Sequence, residues 1–295
     1  MKTLTVFTPA FNRAHTLVRT YESLCRQTCQ DFCWLVVDDG STDNTRQLVE
    51  GWIEEGRIPV RYIYKENGGL HTAYNTAYAN IDTELNMCVD SDDFLPDDAV
   101  DVILKEWRER GSENYAGLIG LDYSLDNQPI GGLFPETLTE THVFDLRARK
   151  IHDYDCKPVY RSDLTRKFSP MIGFPGEKNF NPHYIAIEID RYLPVLVVNK
   201  NFCFVDYQVG DSMSRNIVNQ YFNSPRSFCK SRIQEMSHPR TFLCNNIRLA
   251  THYVAESIIA RNAGFLRESP CKLLTLLCVP AGVALYFYLL TKRRK

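Results

Sequence analysis

No CxxC pair occurs among the ten cysteines of this 295-residue chain. Cys25, Cys29 and Cys33 recur every four residues with no histidine at ligand-like spacing, so scattered free thiols in a reducing compartment are the simplest account. The GxGxxG fingerprint and the Walker A loop are both missing, which argues against a nicotinamide dehydrogenase or a P-loop NTPase. There is no basic excess, since 34 Lys and Arg face 36 Asp and Glu for a net charge of -2. A nucleic-acid partner is therefore not expected. Internal repeats and low-complexity tracts are absent too. The opening MKTLTVFTPAFNR turns polar too soon for a signal peptide and reads directly as a first strand. What remains, with 44% hydrophobic and 24% charged residues, is the composition of a folded globular protein.

The first hundred residues alternate strand, loop and helix. Apolar runs at Leu4–Pro9, Phe32–Val37, Val60–Tyr64 and Leu85–Val89 are separated by helical patterns at Arg19–Gln27, Asp43–Glu54 and Leu70–Ala79. Ser41 or Thr42 is placed to cap the second of these helices. Such alternation predicts an α/β fold with a mostly parallel sheet covered by helices. Each strand runs into a polar loop: Asn12 and Arg13, Asp38 and Asp39, Glu66–His71, and Asp90–Asp93. In an open sheet these loops share one edge, where ligands bind. Read alone, DSDD at Asp90–Asp93 is either a solvated acidic turn before a helix starting near Pro96, or a site for a hard, oxygen-ligated cation such as Mg²⁺ or Mn²⁺.

Four segments then spell a family: TPAFNR at Thr8–Arg13, VVDDGSTDNT at Val36–Thr45, ENGGLHTAYN at Glu66–Asn75 and DSDD. Together, and in this order, they resemble the family 2 glycosyltransferases. The resemblance implies the GT-A fold, a nucleotide-diphosphate sugar donor with a UDP-sugar expected, Mn²⁺ or Mg²⁺ as cofactor, and an inverting transfer. It places Pro9, Phe11, Asn12 and Arg13 in the nucleoside loop. Asp39 would accept from a pyrimidine imide N–H, with Asp38 nearby; helix capping is the other role open to this pair. Gly68 and Gly69 would let the backbone approach the ligand, with Lys65, Asn67 or His71 touching base or phosphate. In the DxD motif Asp92 is the more direct metal ligand and is counted with the catalytic residues, and Asp90 is the ribose or water-bridged one. Ser91 lies between them, and Asp93 stands behind them or caps a helix. The family carries its base in a Glu-Asp pair; Gly176-Glu177-Lys178 occupies the comparable place, making Glu177 the expected base, with Glu188, Asp190, Asp153 and Asp155 as fallbacks. Arg215 is a candidate diphosphate contact.

Domain boundaries are expected at 1–215 for the catalytic domain (1–115 for the donor, 116–215 for the acceptor), 216–269 for a helical extension, and 270–295 for a hydrophobic, basic-tailed segment. Arg226–Arg267 reads as helical throughout. The uncharged run Leu273–Leu290 followed by TKRRK admits a membrane-surface or re-entrant anchor, a full span, or a terminal helix docked on the domain. The expected acceptor is a glycan or lipid-linked glycan in cell-surface polysaccharide biosynthesis, made at the cytoplasmic face of the inner membrane by a peripheral or C-terminally anchored protein. The rival reading is a donor-binding scaffold that transfers nothing. A nucleotidyltransferase fits less well, because TPAFNR is not a glycine-rich loop.

Overall fold

The computed structural model describes residues 2–206 and 217–293. The chain forms two compact units: one takes in everything up to Pro170 together with Glu188–Asp206, the other Met171–Ile187 and the helices from Ile217 onward. In the first unit the order is β1 (Leu4–Ala10), α1 (Ala14–Cys25), β2 (Phe32–Asp38), α2 (Thr45–Glu55), β3 (Val60–Tyr64), α3 (Leu70–Asn80), β4 (Leu85–Cys88) and α4 (Ala99–Arg110). There follow β5 (Gly117–Tyr123), β6 (Glu140–Thr141), α5 (Val143–Ala148), β7 (Cys156–Arg161) and α6 (Ser162–Phe168). The helix α7 (His183–Asp190) leads into β8 (Val195–Phe204).

All eight strands lie in one sheet, in the order β3-β2-β1-β4-β7-β5-β8-β6. β3, β2, β1 and β4 are mutually parallel, β7 is antiparallel to both β4 and β5, and β8 is parallel to β5. β1 and β2 are buried along their whole length, as central strands covered on both faces must be. The edge strand β3 is only partly covered. The core on one side is led by a ring stack in which Tyr21 of α1 lies 4.3 Å from Trp52 of α2, and Trp52 5.6 Å from Trp34 of β2. Insertion of β7 beside β4 is secured by a buried amide: Asn86 Nδ2 lies 3.2 Å from the Tyr160 carbonyl and 3.1 Å from both Ser162 Oγ and Thr165 Oγ1. β8 runs unbroken from Val195 to Phe204, and register shifts opposite β5 absorb its irregularity.

The second unit contains α8 (Ile217–Asn223), α9 (Pro225–Met236), α10 (Leu243–Ile259), α11 (Phe265–Glu268), α12 (Lys272–Leu277) and α13 (Val279–Arg293). The continuous helix expected over Arg226–Arg267 is thus three helices. The first break falls at His238-Pro239, where the residue before a proline is pushed out of the helical region; the second is at Arg261, with φ +54°. Leu249, Ala250 and Tyr253 of α10 form its core with Cys229, Met236 and Cys278. Within it Glu256, wholly buried, is paired at 3.1 Å with the Arg232 guanidinium. All ten cysteines are free thiols.

Gly117 marks the tightest crossing of the sheet. It has φ +149°, and a Cβ there would stand 1.9 Å from the Val159 carbonyl oxygen of β7. Gly117→Ala should therefore separate β5 from β7 and cost about 3 kcal/mol or more. Urea unfolding checks this: the midpoint falls, and an unchanged midpoint would show that β7 yields freely.

Candidate active site

Four loops leave the carboxyl ends of β1, β2, β3 and β4, and because these strands are parallel neighbours the loops share one rim. Pro9 is the first residue of this rim. It lies in β1 beyond Phe7, the last residue paired with β4, so its missing N–H leaves no gap in the ladder. Phe11 follows, 47% exposed. Asn12 takes φ +54°, its N–H donates to Ser41 Oγ at 2.8 Å, and its side-chain oxygen accepts from the Thr42 N–H at 2.8 Å. Arg13 N–H donates to Thr45 Oγ1 and Ala14 N–H to Asp43 Oδ2. Loops one and two are thereby laced together. Ser41 and Thr42 serve this lacing rather than capping α2, whose first turn is held by Asp43 through the Thr45 N–H at 3.0 Å.

The paired carboxylates on β2 have separate tasks. Asp38, fully buried, accepts from the Ser41 N–H at 2.7 Å and from the Tyr62 hydroxyl at 2.6 Å, so both its oxygens are engaged inside the protein. Asp39 reaches loop three. Its Oδ1 takes the Lys65 ammonium and the Gly68 N–H at 3.0 Å, its Oδ2 takes the Gly69 N–H at 2.8 Å, and its carbonyl takes Asn67 Nδ2 at 2.8 Å. Gly69 has φ +93°, which suits a residue without Cβ. Oδ2 keeps one acceptor position, which is what an imide N–H would use. His71 and Ser91 are buried like Asp39, 3% and 6% exposed against its 5%.

The Asp90–Asp93 turn closes with the Asp93 N–H on the Asp90 carbonyl at 3.0 Å. It is anchored from α1, where Arg19 donates to the Asp92 carbonyl and Thr20 Oγ1 to the Asp93 carbonyl at 2.7 Å. Arg19 also pairs with Asp206 at 2.9 Å. Asp93 is buried and is neither a helix cap nor exposed. Its carboxylate lies 3.3 Å from the Lys157 ammonium, which is 3.8 Å from Asp122 on β5. Burial pushes the Asp93 carboxyl up to about 7 and that of Asp122 up to about 6, against the pull of Lys157. The two carboxylates in turn hold the Lys157 charge, raising its pKa well above the ordinary value in spite of burial. Asp90 is exposed, with only the Cys88 thiol at 3.8 Å, and the half-buried Asp92 carboxylate has no hydrogen-bond partner among the described residues.

Glu177 belongs to the second unit and is placed otherwise than a base requires. Its Oε1 accepts from Arg226 Nε at 2.9 Å and the Arg226 N–H at 3.1 Å; its Oε2 accepts from the Ser227 N–H at 2.8 Å and Ser227 Oγ at 2.7 Å. Four donors occupy a carboxylate that is 8% exposed and sits on the amino end of α9. Asp190 does the same for α5, accepting from the Val143 and Phe144 N–H groups. Asp155 is exposed and paired with Arg147, Asp153 is exposed, and Glu188 is half-buried on α7. Arg215 lies outside the described residues. Lys157, Arg19 and Tyr62 carry parts that no motif advertises. Lys157 had one signal: it shares a strand face with Val159, where a charge must be compensated.

A model of glycosyl transferase family 2 matches residues 5–156, just over half of the chain. The chain belongs to glycosyl transferase family 2. Chondroitin synthase of Escherichia coli is 39% identical over 114 residues, 36% of this chain but 15% of that protein. The chain therefore spans a small part of that relative. S. aureus TarS (residues 1–349, in complex with UDP-GlcNAc) is 17% identical and superposes with a TM-score of 0.66, covering 100% of this chain and 92% of that one. The mannosyltransferase PcManGT from Pyrobaculum calidifontis, in complex with GDP-Man and Mn²⁺, gives a TM-score of 0.55 at 14% identity, covering 95% and 73%. These two show the fold, which is that of the GT-A glycosyltransferases.

Two outcomes test the site's internal supports. Lys157→Met strands two buried carboxylates and should cost about 3–5 kcal/mol at pH 8. The loss should shrink toward pH 5, because carboxyls with raised folded-state pKa values favour the folded state when protonated and lose that contribution as pH rises through those values. An equal loss at both values would overturn the compensation. Glu177→Gln should lower stability by about 1–3 kcal/mol while leaving kcat per folded molecule within about threefold; a fall of about 10² or more in a fully folded variant would instead mark it as the base.

Proposed function

We propose that this protein transfers a sugar from a nucleoside-diphosphate donor, a UDP-sugar first among candidates, to a hydroxyl of a glycan or lipid-linked glycan, with a divalent cation held at Asp90 and Asp92. One observation carries this reading. Among the aspartates that β2 and β4 deliver directly, Asp38, Asp39 and Asp93 are satisfied by Tyr62 and Ser41, by Lys65 and the Gly68–Gly69 amides, and by Lys157. Asp90 and Asp92 are left without a protein cation among the described residues. Two adjacent, accessible carboxylates fit Mg²⁺ or Mn²⁺ shared with a diphosphate, since such ions take one or two protein oxygens and complete their shell from water and phosphate. Among the described residues there is no cluster of three or more side chains that could hold a metal ion.

When bound, the cation would offset charge developing on the departing nucleoside diphosphate. The chain's own residues supply the positioning. Phe11 offers an exposed ring at the mouth of loop one, Asp39 Oδ2 an acceptor for the base, and the Asn12–Ser41–Thr42 lacing holds both in place. The acceptor oxygen would attack the anomeric carbon from the face opposite the diphosphate as the bond to the diphosphate breaks, the hydroxyl proton passing to a base or water, and the sugar's configuration inverts. The match to chondroitin synthase, and the nucleotide sugars bound by TarS and PcManGT, support a part in polysaccharide synthesis from a nucleotide-sugar donor.

Calorimetry with UDP-, GDP- and dTDP-sugars, with and without Mn²⁺, tests the reading. Asp92→Ala should weaken Mn²⁺-dependent donor binding by more than the roughly 10–100-fold that follows loss of an outer support to a metal site, with an unchanged unfolding midpoint. Asp90→Ala should follow with a smaller loss. Turnover that survives excess chelator would overturn the metal's part, and no binding of any donor would overturn the transferase reading.

A further inference from the structure

The terminal helices carry an apolar surface that the transferase reading does not use. α13 is seated on α10 by Gly282, whose absent side chain admits Val254: a Cβ there would lie 2.5 Å from the Val254 Cβ and 3.0 Å from the Thr251 carbonyl. Cys278 and Leu289 point inward with it, 6% and 5% exposed. That contact fixes which side of α12 and α13 faces out. The outward side recurs at helical spacing and is apolar throughout: Leu273 is 73% exposed, Leu277 69%, Phe287 60%, Tyr288 56% and Leu276 53%, with exposed Pro280, Ala281 and Ala284 between them. A helix that is apolar on both sides needs a second apolar surrounding.

Charge says what that surrounding is. Lys272 stands at one end of the stripe and Lys292 and Arg293 at the other, and the chain from Ser269 to its last residue contains no Asp or Glu. A second copy laid on this face, in either direction, would set basic end against basic end with no acid to pair. An anionic lipid surface answers both the apolar stripe and the basic ends. A span is not available: α12 has six residues and α13 fifteen, and at 1.5 Å per residue α13 is about 22 Å long against a hydrocarbon core of about 30 Å. No helix among the described residues is long and apolar enough to cross a membrane. We infer that the outer face of α12–α13 docks in the plane of an anionic bilayer, its leucines and aromatic rings at acyl depth and its basic ends at the phosphates.

This inference is independent of the sugar or metal chosen above, and its test reads lipid binding alone. The full chain is floated with vesicles of phosphatidylcholine containing 30 mol% phosphatidylglycerol and with pure phosphatidylcholine, at about 0.15 M salt. Wild type should float with the anionic vesicles. Lys292→Glu with Arg293→Glu should lower partitioning by at least about fivefold per charge, and Leu273→Glu with Leu277→Glu by about tenfold or more. Both substituted pairs are exposed, and because Arg293 also rests over the Phe222 ring at 4.4 Å, melting curves of each variant are recorded so that flotation is compared between folded proteins. The control Ile172→Glu, also in the second unit and 80% exposed, should float as wild type does. Equal flotation of the variants, absence of wild type from the floating fraction, or a lipid-free dimer that Leu273→Glu/Leu277→Glu dissolves would overturn the inference. The last would assign the face to self-association.

Discussion

Mutual repulsion among carboxylates is the constraint on which this structure turns. Parallel β2 and β4 deliver Asp38, Asp39, Asp90, Asp92 and Asp93 to one rim. So many negative charges at close quarters destabilise a fold unless each finds a donor or a cation. The surrounding elements answer in turn: β3 brings Tyr62 and Lys65, loop three brings two glycine amides, and β7 brings Lys157 from a strand inserted against the run of the sheet. The antiparallel β7 is therefore an electrostatic counterweight as well as a packing element. Asp90 and Asp92 make no ion pair among the described residues.

The second unit handles charge by a different rule. Two of its acids sit where a helix amino end or a guanidinium group meets them, Glu177 over α9 and Glu256 against Arg232. Its remaining surface toward the chain's end carries basic residues alone. One unit thus concentrates negative charge at a rim and the other keeps positive charge around an apolar stripe. The two surfaces suit different partners, a metal-complexed diphosphate and a lipid headgroup layer.

Much of the first unit was legible in the sequence because its signals are local. Apolar runs ending in DDGSTD or DSDD announce strand, loop and ligand edge together, and β3 lies at Val60–Tyr64 as read. What escaped depends on contacts far apart in the chain. Asp39 meets residues 26 to 30 positions away, and Lys157 lies 64 positions from Asp93, distances at which periodicity says nothing. Glu177 shows the opposite error: its place beside a family motif suggested a base, whereas Ser227 and Arg226, 50 and 49 positions on, occupy its oxygens. The terminal run was readable as apolar, but the inward and outward sides of α13 follow from where Gly282 lets it rest on α10.

The clasp of Asp39 on Gly68 and Gly69 also bears on how a donor is bound. A glycine pair on a surface loop has the widest conformational freedom the backbone allows, and fixing two such residues costs on the order of 2–4 kcal/mol. Here that ordering is completed when the protein folds, through hydrogen bonds that exist before any ligand arrives. A donor bound here, as proposed, would meet a loop already held, so its contact energy would go to affinity and alignment rather than to ordering the chain.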